Sequence, residues 1–558
     1  MRLLFLPYKP TSDATSDAPA RPKISHQKHA AREHHRKAKL TKQRLKSNQK
    51  VSSHEVQDSA DSRGQFIEWK VDDEPEERQM RTSPITILGA GRLDPFDVYC
   101  APNQPLMVHE MLDHAISCQW SLFAPDDSIE ALNVVRRSVM NLAIDSPLLF
   151  NTLIFAGATH KAFHQSPTVD NRKSQILRLT CKVKALESLR KALSSPDTMC
   201  ADDVIFAMVL LASHGSGEKV TAPHHREKRA LAAAQDAQFY ASMEYEWTHM
   251  NALMGILQKK GGLREISVPG LVFALASFDT HTAMMFQSKP NFPLLMPSAP
   301  VIKSWPSSST RSSAFQRSSQ LILGFEFLSS MDLPQAGHLL DVFRNMRDIV
   351  IGFNCYQLCD SDAPSIKQII FARNLNQHEL ISMDNLWLDG SQGYDSPTST
   401  SAVGYYSRDI VLYELSRISA LVFQIVVLLP NLHSVQAVTS GYAKRLRDIL
   451  TCCQTLLGSY DNSVDRDLLL WATIVGAWLT QELSERAWFI EHLTTDIVPY
   501  AVPGNVSELQ ESGGQSWKLV RNKMKKFFWL DSECEVPCRL IWEEVEASVM
   551  PDAQCVIC

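Results

Sequence analysis

The chain has 558 residues and no cysteine before Cys100, and its twelve cysteines are too dilute for a disulfide scaffold. They are expected to be mostly reduced, buried thiols of an intracellular protein. Long apolar runs are missing as well. "ISALVFQIVVLLP" (418–430) is roughly half the length of a bilayer span and ends in proline, and "LLLWATIVGAWL" (468–479) is also too short. Both are read as buried helices, and no membrane partner is expected. The start, "MRLLFLPYKP", has only a four-residue apolar run before Pro7, too short for a secretory signal. Convincing alternating strands are absent, which argues against a sheet. No fixed-period repeat appears, which argues against a regular solenoid.

What the chain does have is a lopsided charge. Residues 21–50 hold eleven Lys or Arg, four His and one acid, Glu33, so the segment is formally +10. The whole chain is −5, so the remainder sums to −15. A basic arm stands before an acidic body, an asymmetry that points to a polyanionic partner or an import receptor. "HRKAK" and "KQRLK" are compact clusters of the kind nuclear import receptors read. Arg32, Arg36, Lys37, Lys39, Lys42, Arg44 and Lys46 are therefore the candidate residues for import or for contact with DNA phosphates. The following "SNQKVSSHEVQDSADSRG" has no apolar heptads, which excludes a leucine-zipper basic region.

Residues 1–62 carry no apolar stripe of either period and are expected to be disordered. Residues 63–88 form a transition, residues 89–547 a large irregular multi-helix domain, and residues 548–558 a tail. The expected fold is all-α. "SPLLFNTLIFAGATHKAF" opens with Ser146 as N-cap and Pro147 in the first helical position. "SPDTMCADDVIFAMVLLAS" repeats the Ser-Pro start before a run apolar on nearly all sides. "PLMVHEMLDHAISCQW" puts Met107, Val108, Met111, Leu112, Ala115 and Ile116 on one face. Breaks rich in Ser, Gly and Pro at 213–229, 304–319 and 388–401 mark exposed loops.

Several motifs invite catalytic or metal readings and fail on spacing. In "HEMLDH", His109 and His114 are five apart, so they diverge on a helix by about 140° rather than the about 40° of a zinc-binding pair. Both are expected on a wet helix face. "GAGRLD" has Asp94 where a dinucleotide fingerprint needs its third glycine, and "HGSGE" has His214 where an esterase elbow needs glycine. Cys355 with Cys359, and Cys534 with Cys538, sit four apart but read as buried thiols rather than a zinc site. The ending "CVIC" has the form of a prenylation signal with Cys555 as acceptor. The basic "WKLVRNKMKKFFW" ahead of it is equally an amphipathic core helix, with Leu519, Val520, Met524 and Phe527 inside and its lysines outside. No catalytic residue, cofactor or metal site is expected.

Five blocks in order resemble the fungal-specific transcription factor domain. They are "GRLDPFDVY" (91–99) with "VHEMLDHA"; "WTHMNALMGILQKKGGLREI" (247–266); "FDTHTAMMFQSKPNFP" (278–293); "LLLWATIVGAWLTQELSERAWFIEHL" (468–493); and "FFWLDSECEVPCRLIWEEV" (527–545). The resemblance implies a non-catalytic, regulatory helical domain in a nuclear protein that controls transcription, for example of a secondary-metabolite gene set. Many such proteins read DNA with a six-cysteine binuclear zinc cluster, and the first 99 residues here have no cysteine for one. Similar proteins lacking the cluster often carry a His- and Arg-rich segment instead, which "SHQKHAAREHHRKAK" looks like. The implied partners are a nuclear import receptor, promoter DNA, and other transcription factors or a second copy of the chain. The alternative is a helical cofactor or scaffold that does not touch DNA. The residues of these blocks also have packing roles: Gly261 and Gly262 as a helix terminator with Leu263 folding back, and Trp471, Trp478, Trp488 and Trp529 as apolar anchors.

Overall fold

The computed structural model describes residues 104–165, 172–215, 220, 230–233, 236–295, 320–359, 363–389, 407–429, 436–457, 463–501 and 515–549. All lie in the larger of two units into which the chain divides, residues 82–558. The arm, the transition segment, "GRLDPFDVY", Cys555 and most of the three Ser/Gly/Pro-rich breaks lie outside the described residues. Of the described residues 81% are helical and none is in a strand, so the protein is all-α as its sequence suggests.

The first half supplies α1 (Leu106–His114), α2 (Ile129–Asp145), α3 (Pro147–His164), α4 (Arg172–Leu193), α5 (Asp202–Ser213), α6 (Ala237–Ser242), α7 (Trp247–Lys260) and α8 (Leu271–Phe286). The second supplies α9 (Pro334–Gln357), α10 (Ile366–Ser382), α11 (Arg408–Phe423), α12 (Gln436–Leu457), α13 (Ser463–Leu479), α14 (Arg486–His492), α15 (Gln515–Met524) and α16 (Asp531–Val549). Each half surrounds its own core. The helix α8 serves both: Leu271, Ala274 and Leu275 enter the first core, Ala283 and Met284 the second. Polar ties reinforce the junction. Buried Lys367 on α10 donates to the Asp126 carbonyl at 3.2 Å and pairs with Asp127 at 3.2 Å. Tyr442 on α12 donates to the Met284 carbonyl at 3.2 Å.

Local signals account for many of the helix ends. Ser146 caps α3 by accepting from the Leu149 N–H, with Pro147 in the first turn. Gly261 and Gly262 take φ of +105° and +93°, and the Gly262 N–H reaches back to the Leu257 carbonyl at 2.9 Å. Leu263 then folds into the first core. The second Ser-Pro start departs from expectation. It opens only the single turn Pro196–Met199, and the apolar run begins afresh as α5 with Asp202 and Asp203 in its first turn.

Two apolar segments are longer or more irregular than their sequence suggests. α1 runs on through a wide-turn segment, Ala115–Gln119, to Trp120. α11 likewise continues as a wide turn to Leu428, giving a 21-residue stretch long and apolar enough to cross a membrane. Its most apolar window is 94% buried inside the body, so it is the central helix of the second core, where hydropathy is satisfied by protein. The basic stretch at α15 is also tied inward. Val520, Met524 and Phe527 are buried, while Lys523 and Lys526 both bind the Asp467 carboxylate of α13, at 2.6 and 2.8 Å. The lysines lie outside the apolar face as expected, and these two also tie α15 and the residues after it to α13.

Candidate functional site

Two features of the body can bind something. The first is a cleft of about 580 Å³ between the segment leaving α8, the first turns of α9 and the end of α10. One wall is residues 289–294, and Asp279 shapes it. This carboxylate is 0% exposed and accepts from the Asn291 side chain at 2.8 Å and the Phe292 N–H at 2.9 Å. Gln287, at φ +52°, turns the chain out of α8 so that this return is possible. His378 of α10 donates from Nε2 to the Phe292 carbonyl at 2.9 Å, fixing the same segment from the other side. At the rim Lys289 pairs with Asp384, both about half exposed, a pair that adds little stability but sets the charge pattern. His338 and Glu379 complete a polar opening.

The second feature is a polar cluster where α1, α3 and α6 meet. His160 and His164 lie one turn apart on α3. Asp236, just before α6, faces both: the His160 Nε2 is 2.9 Å from Oδ2 and the His164 Nε2 3.3 Å from Oδ1. On the far side of His160, its Nδ1 meets the His114 Nε2 at 2.8 Å. Burial, then the neighbouring His160, brings the His114 pKa down to about 4, so this ring is neutral at pH 7. Burial pushes the Asp236 carboxyl up, but the hydrogen bonds and charges of His160 and His164 outweigh it and hold the group well below the usual carboxylate range. Asp236 sits at φ +51°, a left-handed backbone that aspartate tolerates better than most residues. The ligand-capable atoms of His160, His164 and Asp236 all lie within 4.8 Å of one another.

Aromatic rings and a further histidine back this cluster. Phe239 packs edge-on to His160 at 4.9 Å and to Phe163 at 5.3 Å. His214, 1% exposed, donates from Nδ1 to the Leu210 carbonyl at 2.8 Å, while the Gln119 amide contacts its Nε2. Burial is the main reason its pKa falls to about 3.

The motifs singled out in the sequence fare unevenly. His109 and His114 do diverge, as a five-residue spacing requires, but His109 is buried rather than on a wet face and His114 is half-buried. His109 is 7% exposed and bonds the Gln104 carbonyl, and His114 turns to His160. Cys355 is buried in α9, whereas Cys359 lies past the helix end at φ +54°, exposed, so that pair shares no helix face. Cys534 and Cys538 are both buried in α16, and burial pushes both thiols up, leaving them protonated. Arg32, Arg36, Lys37, Lys39, Lys42, Arg44, Lys46 and Cys555 lie outside the described residues. The sequence reading missed the cluster although one signal was available. "HKAFH" places His160 and His164 four apart, the spacing that "HEMLDH" lacks.

By architecture the body belongs to the broad class of large all-α domains with two cores. No protein-family model, no curated protein and no solved structure matches the chain.

Proposed function

We propose that the chain is a nuclear regulator of transcription, specific to one pathway such as a secondary-metabolite gene set. It acts through protein contacts of its helical body. The observation that carries this reading is the charge division: +10 within residues 21–50 against −15 for the rest. The likeness of five ordered blocks to the fungal-specific transcription factor domain supports it. In the body, the described residues of those blocks do structural work. Gly261 and Gly262 end α7, Asp279 pins the wall of the cleft, and Trp471 and Phe527 stack in the second core.

In this reading Arg32, Arg36, Lys37, Lys39, Lys42, Arg44 and Lys46 dock to an acidic import receptor and neutralise DNA phosphates. If about six cations engage phosphates, affinity falls roughly a thousandfold between about 50 and 200 mM salt. Such contacts carry no base sequence, so target choice rests with the body and its partners, other transcription factors or a second copy. The reading assigns the chain no reaction. A tagged chain lacking residues 1–62 is expected to lose nuclear accumulation, and undiminished nuclear signal refutes the import role.

A second reading, a helical cofactor recruited by another factor, is favoured by one specific observation: residues 1–99 hold no cysteine and so cannot themselves form a binuclear zinc cluster. Binding of the full chain to duplex DNA of arbitrary sequence separates the two: affinity that falls steeply with salt and is lost on removal of residues 1–62 supports the first reading, and no binding even at low salt supports the second.

A further inference from the structure

We infer that His160, His164 and Asp236 form a binding site for a divalent transition-metal ion, Zn²⁺ foremost, which ties α3 to the segment entering α6. The inference is independent of the transcriptional reading. Two imidazoles one helical turn apart plus a carboxylate from a different element are a donor set that suits zinc or iron better than magnesium or calcium, which prefer all-oxygen shells. Ligands about 2.0–2.2 Å from a common ion stand roughly 3.2–3.6 Å from one another. Here the two histidine-to-carboxylate separations are 2.9 and 3.3 Å, and all three donor atoms fall within 4.8 Å. Small side-chain adjustments close the set around an ion.

The surroundings favour the same occupant. A ligating imidazole offers a bare nitrogen to the metal and needs an acceptor for the proton on its other nitrogen. His160 has that acceptor in place: with Nε2 on the ion, its Nδ1–H donates to the His114 Nε2 at 2.8 Å. With Nε2 on the ion, the His160 proton resides on Nδ1, and His114 in turn carries its own proton on Nδ1, which leaves its Nε2 to accept. His114 is thus a positioning residue. The site is floored by His160, whose side chain is 5% exposed, and entered past His164 and Asp236, at 34% and 21%. Three protein ligands leave a position for water or for a further ligand.

The test uses the untagged full chain, stripped with a chelator and titrated with Zn²⁺ and, for its visible absorption, Co²⁺. The arm adds five further histidines, His26, His29, His34, His35 and His54, as competing ligands, so the reading is a difference between variants. His164→Asn and Asp236→Asn change groups that reach solvent, and asparagine keeps the left-handed backbone at 236 accessible. Wild-type chain is expected to bind one equivalent at least tenfold tighter than either variant, with a low-coordinate Co²⁺ spectrum that both variants lose. His114→Gln is expected to weaken binding about tenfold at unchanged stoichiometry. Matching isotherms and Co²⁺ spectra for wild type and for a folded His164→Asn variant overturn the inference and leave the cluster as a hydrogen-bonded network alone.

Discussion

Replacing Asp279 with Asn changes one oxygen for an amide group and tests how the cleft wall is held. In the native body each carboxylate oxygen accepts one bond, from the Asn291 side chain at 2.8 Å and from the Phe292 N–H at 2.9 Å. Asparagine retains one acceptor and turns a donor toward the remaining donor. Hydrogen bonds to charged groups contribute about 1.5–3 kcal/mol each, and an unsatisfied buried donor costs about 1–3 kcal/mol. The expected loss is therefore about 2–4 kcal/mol, concentrated on the segment the carboxylate holds. His378 still donates to the Phe292 carbonyl, so the segment loosens without leaving the body entirely. Hydrogen exchange read by mass spectrometry on residues 287–295 is the direct assay. A loss of about 2 kcal/mol quickens local opening roughly thirtyfold, since each 1.36 kcal/mol is a factor of ten. Asn291→Ala, which removes one donor and keeps the charge, should give a smaller acceleration. Exchange in 287–295 that is unchanged in Asp279→Asn, together with an unchanged urea midpoint, would show that this carboxylate does not organise the cleft.

Three further outcomes follow from the packing. Trp471 is fully buried, stacked on Phe527 at 5.3 Å and bonded through Nε1 to the Phe528 carbonyl, so Trp471→Ala should cost about 3–5 kcal/mol. A folded variant with the wild-type urea midpoint would contradict that. Gly157 and Gly255 should respond to alanine with opposite signs. A methyl at 157 collides with the Met111 backbone carbonyl of α1, a cost of about 1–3 kcal/mol, whereas nothing lies within 4 Å of one at 255, where helix propensity gains up to about 1 kcal/mol. Thermal melts of both variants check the pair. Finally, His214 titrates at about 3 in the folded chain against 6.5 unfolded, with Tyr240 and His160 as its titratable neighbours. The unfolded state therefore binds the extra proton, and stability is lost as pH falls from 6.5 toward 3, at up to about 1.4 kcal/mol per pH unit. Urea titrations across that range should show the slope in wild type and a shallower one in His214→Gln.

What could be read in advance was whatever one helix decides for itself. The cap at Ser146, the left-handed exit at Gly261 and Gly262, and the buried face of α1 each depend on residues within a turn or two of one another. Ser195 failed as a signal for the same reason that Ser146 succeeded. Its turn ends at Cys200, and the chain re-enters a helix at Asp202, whose carboxylate also accepts from the Ser267 N–H, a partner 65 residues away. Length misled at α11 because a wide turn extends the helix to Leu428, a choice made by the surrounding core rather than by local propensity. The candidate metal site shows how far spacing alone reaches. It can nominate His160 and His164, since a period of 3.6 aligns them. It cannot supply Asp236, 72 residues beyond His164 and at a backbone angle few residues adopt, nor the turn of α1 that brings His114 to the other side of His160. His109 makes the complementary point. Angular divergence from His114 was correctly expected, yet His109 is buried and His114 is half-buried against His160, so divergence placed the two rings against different parts of the protein.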